Sequence, residues 1–92
     1  MTLTKSEIEK IIKIDLKDWK FLNSKIVRFI PRSSDVSLSK IVKEIWDYAE
    51  KVDHHPDILL TYSGVKITLF THDQSGVTEK DIRFARSLAK IY

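Results

Sequence analysis

The chain holds three histidines, His54, His55 and His72, and all of them fall between Asp53 and Asp73. An unperturbed imidazole titrates near pH ~6.5, so a cluster of them can both donate and accept protons close to neutrality. That suits a reaction in which one group gains a proton while its neighbour loses one. Glu50 stands one helical turn ahead of His54 and can lie on the same face if the helix continues that far, where it could orient an imidazole or touch a ligand. Two plainer uses compete. A histidine pair at a helix end is favoured by the helix dipole, and three imidazoles with a carboxylate could hold zinc or iron. Adjacent histidines rarely point the same way, so no metal ligand set is assigned.

What would bring these side chains together is the pattern around them. Leu38, Ile41, Val42, Ile45, Trp46, Ala49 and Val52 recur at intervals of three and four, one apolar stripe along a helix. Asp35 or Ser37 can cap its start, and Pro56 cannot continue it, so the chain leaves the helix near Asp53 and delivers His54 and His55 at its exit. Ile58 to Tyr62 and Val65 to Thr71 read as strands joined by a tight turn at Ser63 and Gly64. Paired strands lie about 5 Å apart, which would set His72 beside the helix exit and let the imidazoles face a common pocket. Val65, Ile67 and Leu69 alternate with Lys66, Thr68 and Phe70, so one face of the sheet should be covered by helices.

Upstream, Thr4 and Glu7 form a capping box with Leu3 and Ile8 as its staple, opening a first helix that runs to about Ile14. Trp19 to Leu22 and Ile26 to Ile30 read as a hairpin turning at Asn23 and Ser24. Downstream, Thr78 and Asp81 form a second capping box that opens a final helix. Asp81 is assigned to that cap at least as readily as to chemistry. The final helix carries Ile82, Phe84, Ala85, Leu88, Ala89 and Ile91 over a wider arc than one core contact needs, which predicts self-association as a homodimer or homotetramer. Trp46 and Tyr62 are expected to pack on the apolar sides of their elements. The order α-β-β-α-β-β-α implies an α+β fold, a four-stranded antiparallel sheet with helices on one face, with residues 1–92 as a single domain.

Composition excludes several classes. The 92 residues are 42% hydrophobic with only two glycines and two prolines, the balance of a folded chain. No cysteine is present, so disulfides, thiolate metal sites and a cysteine nucleophile are ruled out. Met1 to Lys13 mixes lysine and glutamate among its isoleucines, unlike a secretion signal or membrane span, so a cytoplasmic location with no membrane partner is expected. The net charge of +3 is spread among acids, and nucleic-acid binding, which needs clustered basic residues with exposed aromatics, is not expected.

The run Glu50-Lys51-Val52-Asp53-His54-His55-Pro56, then Tyr62, Thr71-His72 and Asp81 at their spacings, resembles the signature of the pterin-4a-carbinolamine dehydratases. The resemblance extends to the Trp19 region, to Ala49-Glu50 and to Gly76-Val77-Thr78, nearly the whole chain. It implies that His54, His55 and His72 line a pterin site, and that neither metal nor organic cofactor is used. The implied reaction eliminates hydroxide from carbon 4a of a 4a-hydroxytetrahydropterin to give the quinonoid dihydropterin. The leaving hydroxyl must be protonated while the neighbouring ring nitrogen loses its proton, so two groups poised near neutrality are useful. On that basis His54 and His72 take the acid and base roles, in either order. His55 and Glu50 would position the pterin, backbone groups near Asp53 and Thr71 would meet its amide edge, and Asp81 and Pro56 would support the frame. Ile58 stands where animal members of the family carry tryptophan, so a stacking contribution is absent there. Animal members also bind a homeodomain transcription factor, which makes a non-catalytic interaction module on the same fold the alternative.

Overall fold

The structure, a computed structural model, describes residues 1–92. Its elements run α1 (Lys5–Asp15), β1 (Trp19–Leu22), β2 (Lys25–Pro31), α2 (Leu38–Val52), β3 (Asp57–Thr61), β4 (Gly64–Leu69), a short 3-10 turn (His72–Gln74) and α3 (Glu79–Ala89). The strands form one sheet in the order β1-β2-β4-β3, with every neighbouring pair antiparallel. The fold is therefore the α+β arrangement expected from the sequence, with the helices covering one face of the sheet.

Local chemistry sets the ends of these elements. Both capping boxes form: Thr4 with Glu7 opens α1, and Thr78 with Asp81 opens α3. Asn23 and Ser24 take φ of 51° and 63°, the left-handed conformations of a two-residue turn that matches strand twist. The second hairpin turns one residue earlier than the sequence suggests. Thr61 pairs with Gly64, so Tyr62 and Ser63 form the loop and Gly64 opens β4. Glycine is required there by the neighbouring strand, because a β-carbon at Gly64 would fall on the Ile30 carbonyl oxygen and within 2.9 Å of Pro31 Cα.

The core is a cluster of 17 buried apolar residues between sheet and helices. Val65, Ile67 and Leu69 of β4 are fully buried, and Ile41, Ile45 and Ala49 of α2, one turn apart, lie against the sheet. This narrow seam leaves the margins of the α2 stripe in solvent. Trp46 is 42% exposed, and Tyr62, at the hairpin tip with the Arg32 guanidinium 4.5 Å from its ring centre, is 83% exposed. Neither is a core residue, contrary to expectation.

The broad apolar arc of α3 is also used internally. Ile82, Phe84, Ala85 and Leu88 are all buried. α3 shares the core cluster with the sheet and also touches α2: Tyr48 meets Phe84 edge-on with ring centres 4.8 Å apart, and its hydroxyl shares a 2.8 Å hydrogen bond with Ser87 Oγ. These contacts occupy most of the arc, while Ala89 and Ile91 at its end stay exposed.

Candidate active site

Two chain reversals and one helix start build the site. α2 ends at Asp53, whose left-handed backbone (φ 54°, ψ 45°) turns the chain back on itself. The N–H groups of Asp53 and His54 both donate to the Ala49 carbonyl, the latter at 3.1 Å, which fixes the reversal. Pro56, buried, follows before β3 begins. At the far end of β4 the Thr71 N–H donates to the Gly76 carbonyl at 2.8 Å and closes a loop that carries His72. α3 then begins beside it at Thr78.

Asp81 joins these three segments. Its carboxylate is fully buried, and Oδ2 accepts from the Thr78 N–H at 2.9 Å and from the Thr71 hydroxyl at 2.9 Å. Oδ1 meets His54 Nε2 at 2.5 Å. The hydroxyls of Thr71 and Thr78 lie 2.7 Å apart. Because the Thr71 proton goes to Asp81, Thr71 Oγ1 must accept from the Thr78 hydroxyl, which in turn accepts from the Lys80 N–H. Asp81 accepts at Oδ2 from two donors, so hydrogen counting assigns the shared hydrogen at Oδ1 to His54 Nε2, and in the neutral imidazole this leaves Nδ1 as the free lone pair. Nδ1 has no partner within the protein, and no buried side-chain nitrogen or oxygen lacks one, so Nδ1 opens outward. The result is an oriented acceptor backed by a buried carboxylate.

The His54 side chain is 12% exposed and forms one wall of a cavity of about 330 Å³, lined also by Tyr48, Val52, Lys80, Arg83 and Phe84. His55 lies outside it. Its Nε2 pairs with Glu50 Oε2 at 3.1 Å, and its ring centre stands 5.0 Å from that of Trp46. Glu50 thus orients His55 rather than His54, because the reversal at Asp53 carries His54 off the helical face. His72, exposed at the start of the 3-10 turn, rests against Phe70 with ring centres 4.1 Å apart. It also lies outside the His54 cavity, and its connection to His54 runs through Thr71 and Asp81.

Several backbone groups expected to meet a ligand are already engaged. The Thr71 carbonyl accepts from the Gln74 N–H at 3.1 Å in addition to the bond its own N–H makes, and the Asp53 N–H is used in the helix cap. Each of His54 and His55 has its own carboxylate, and no three His, Asp or Glu side chains gather as a metal site would require. Sequence reasoning missed Thr78 as a site residue because its role as a cap was sufficient on its own. It also missed Lys80 and Arg83, although their i, i+3 spacing beside Asp81 was a legible signal.

Comparison with known proteins agrees with this architecture. The family model for pterin 4 alpha carbinolamine dehydratase matches residues 1–91. A Sulfolobus acidocaldarius protein provisionally named a pterin-4-alpha-carbinolamine dehydratase is 32% identical over 91 residues, covering 99% of each chain. A Nostoc punctiforme protein with the same provisional name is 36% identical over 89 residues, 97% of this chain and 95% of that one. The crystal structure of a transcriptional coactivator/pterin dehydratase from Brucella melitensis superposes with a TM-score of 0.86 at 33% identity, covering 99% of this chain and 98% of the other. The chain belongs to the pterin-4a-carbinolamine dehydratase family. No helix is long and apolar enough to cross a membrane.

Proposed function

We propose that the protein is a hydro-lyase that removes water from a 4a-hydroxytetrahydropterin, with residues 1–92 acting as one unit in the cytoplasm. The observation that carries this reading is the buried Asp81 carboxylate holding His54 with Nδ1 free. In the reaction the bond between carbon 4a and its hydroxyl breaks, the hydroxyl leaves with an added proton as water, and the neighbouring ring nitrogen gives up its proton to form the new double bond. His54 Nδ1 takes the ring proton, and the imidazolium so formed is stabilised by Asp81, which is held in place before the charge appears. The complementary proton for the leaving hydroxyl is assigned to His72, which lies outside the His54 cavity, so the assignment requires a pterin that extends beyond the cavity toward the 3-10 turn. His55, held by Glu50, positions the bicyclic ring, while Asp53, Pro56 and Thr71 act through the frame. No metal or organic cofactor enters this scheme.

Self-association as a homodimer or homotetramer belongs to the same reading. Its support is β3, an edge strand whose Leu59 and Leu60 are 56% and 51% exposed. A second reading, a non-catalytic interaction module, draws on the double name of the Brucella protein. The deciding experiment follows the ultraviolet absorbance of freshly generated 4a-hydroxytetrahydropterin with and without the protein. Acceleration that is lost in His54→Ala and His72→Ala supports the lyase. Wild-type rates in both variants would overturn the assignment of roles.

A further inference from the structure

Two basic side chains beside His54 have no part in that scheme. Lys80 and Arg83 are exposed on one face of α3, and neither lies within ion-pair distance of any carboxylate. Both line the 330 Å³ cavity that His54 walls, and its other lining residues, Tyr48, Val52 and Phe84, include no acid. The nearest buried carboxylate, Asp81, has both oxygens occupied by His54, Thr71 and Thr78 and does not use these cations. Asp73 and Glu79 line with them a second recess of about 270 Å³, yet neither acid comes within ion-pair distance of Lys80 or Arg83.

The cavity thus combines an apolar floor of ring and methyl groups, the His54 imidazole on one wall, and two positive charges outside any ion pair on the same helix as Asp81. Its volume lies near the lower end of the usual range for small-molecule sites, roughly 300–1,000 Å³. A substrate with a neutral substituent would leave both charges without a partner.

We infer that the pterin accepted at His54 carries an anionic substituent, a phosphate ester or a carboxylate, which Lys80 and Arg83 recognise. The inference rests on the proposed reading of His54 as the pterin site. A guanidinium can grip either anion with two parallel hydrogen bonds, and the ammonium adds a point charge. Both contacts are open to solvent and salt, so the expected discrimination is modest, about ten-fold.

The test measures binding separately from turnover. Affinities of 6-hydroxymethylpterin, its phosphate ester and pteroylglutamate are compared by fluorescence titration at low salt, and dehydration kinetics are run in parallel. The phosphate ester or the pteroylglutamate should bind about ten-fold more tightly than the neutral pterin, and which of them does so identifies the anion. Lys80→Ala with Arg83→Ala should erase that advantage while leaving the neutral pterin's affinity unchanged, and added salt should do the same. In turnover the loss should fall on KM rather than kcat. Equal affinities for neutral and anionic pterins would overturn the inference, as would equal losses for both in the double variant or no binding of any pterin. An anion preference that persists without dehydration would sustain the inference and overturn the proposed lyase activity instead.

Discussion

His54 Nε2 and Asp81 Oδ1 meet at 2.5 Å although the two residues are 27 positions apart in the chain. One comes from the exit of α2 and the other from the first turn of α3. Their meeting fixes which imidazole nitrogen is free.

Asp81→Asn tests that relationship. An amide nitrogen would face either the His54 N–H or the two donors at Oδ2, so one side of the network must be donor against donor. Dehydration should fall by about 100-fold in kcat with little change in KM, and unfolding stability by about 1–3 kcal/mol. Steady-state kinetics and urea denaturation of the same preparation check both figures.

Thr71→Val and Thr71→Ser separate the hydroxyl from its packing. Valine has the same shape but leaves Asp81 Oδ2 one donor short and the Thr78 hydroxyl without its acceptor, at a cost of about 1–3 kcal/mol. Serine keeps the hydroxyl and should recover most of the activity. A valine variant as stable and active as the parent would remove Thr71 from the network.

Asp53 holds a left-handed conformation that a β-branched residue resists. Asp53→Val should cost about 1–2 kcal/mol, whereas Asp53→Gly should be neutral or slightly stabilising. Activity in the valine variant should fall further than stability explains, because the reversal at Asp53 aims His54. Thermal melts and kinetics measured together separate the two effects.

Alkaline pH provides a test remote from the site. Burial, followed by the hydrogen bond and charge of Glu44, pushes the Tyr92 phenol up from 10.0 to about 12. A group raised on folding contributes stability that is present below its unfolded value and is lost as pH climbs through the folded one. The contribution of Tyr92 should therefore be constant below about pH 10 and disappear between about pH 10 and pH 12. Urea midpoints measured across that window should fall more steeply for the parent than for Tyr92→Phe.

Local signals were the readable ones. The two capping boxes, the Asn23-Ser24 turn and the period of α2 each depend on residues a few positions apart, and each is present as the sequence indicates. Errors arose where a distant segment decides. Gly64 looked like a turn residue but is demanded by the backbone of β2. Glu50 looked like a partner for His54, yet the left-handed Asp53 hands it to His55. Most of the arc on α3 is taken up by packing that includes Tyr48 of α2, and only its end, Ala89 and Ile91, remains exposed. In the site itself the sequence brought the three histidines to neighbouring segments, but His55 and His72 lie outside the His54 cavity, and Asp81 as the hub was hidden because a capping box gave it a sufficient local purpose.

That double use of Asp81 ties two timetables together. A carboxylate that caps α3 can reach the imidazole only after the last helix has formed and docked beneath the exit of α2. An incompletely folded chain, or one whose first α3 turn has frayed, therefore holds its histidine in no particular tautomer. Heating should silence the pair before the rest of the molecule melts.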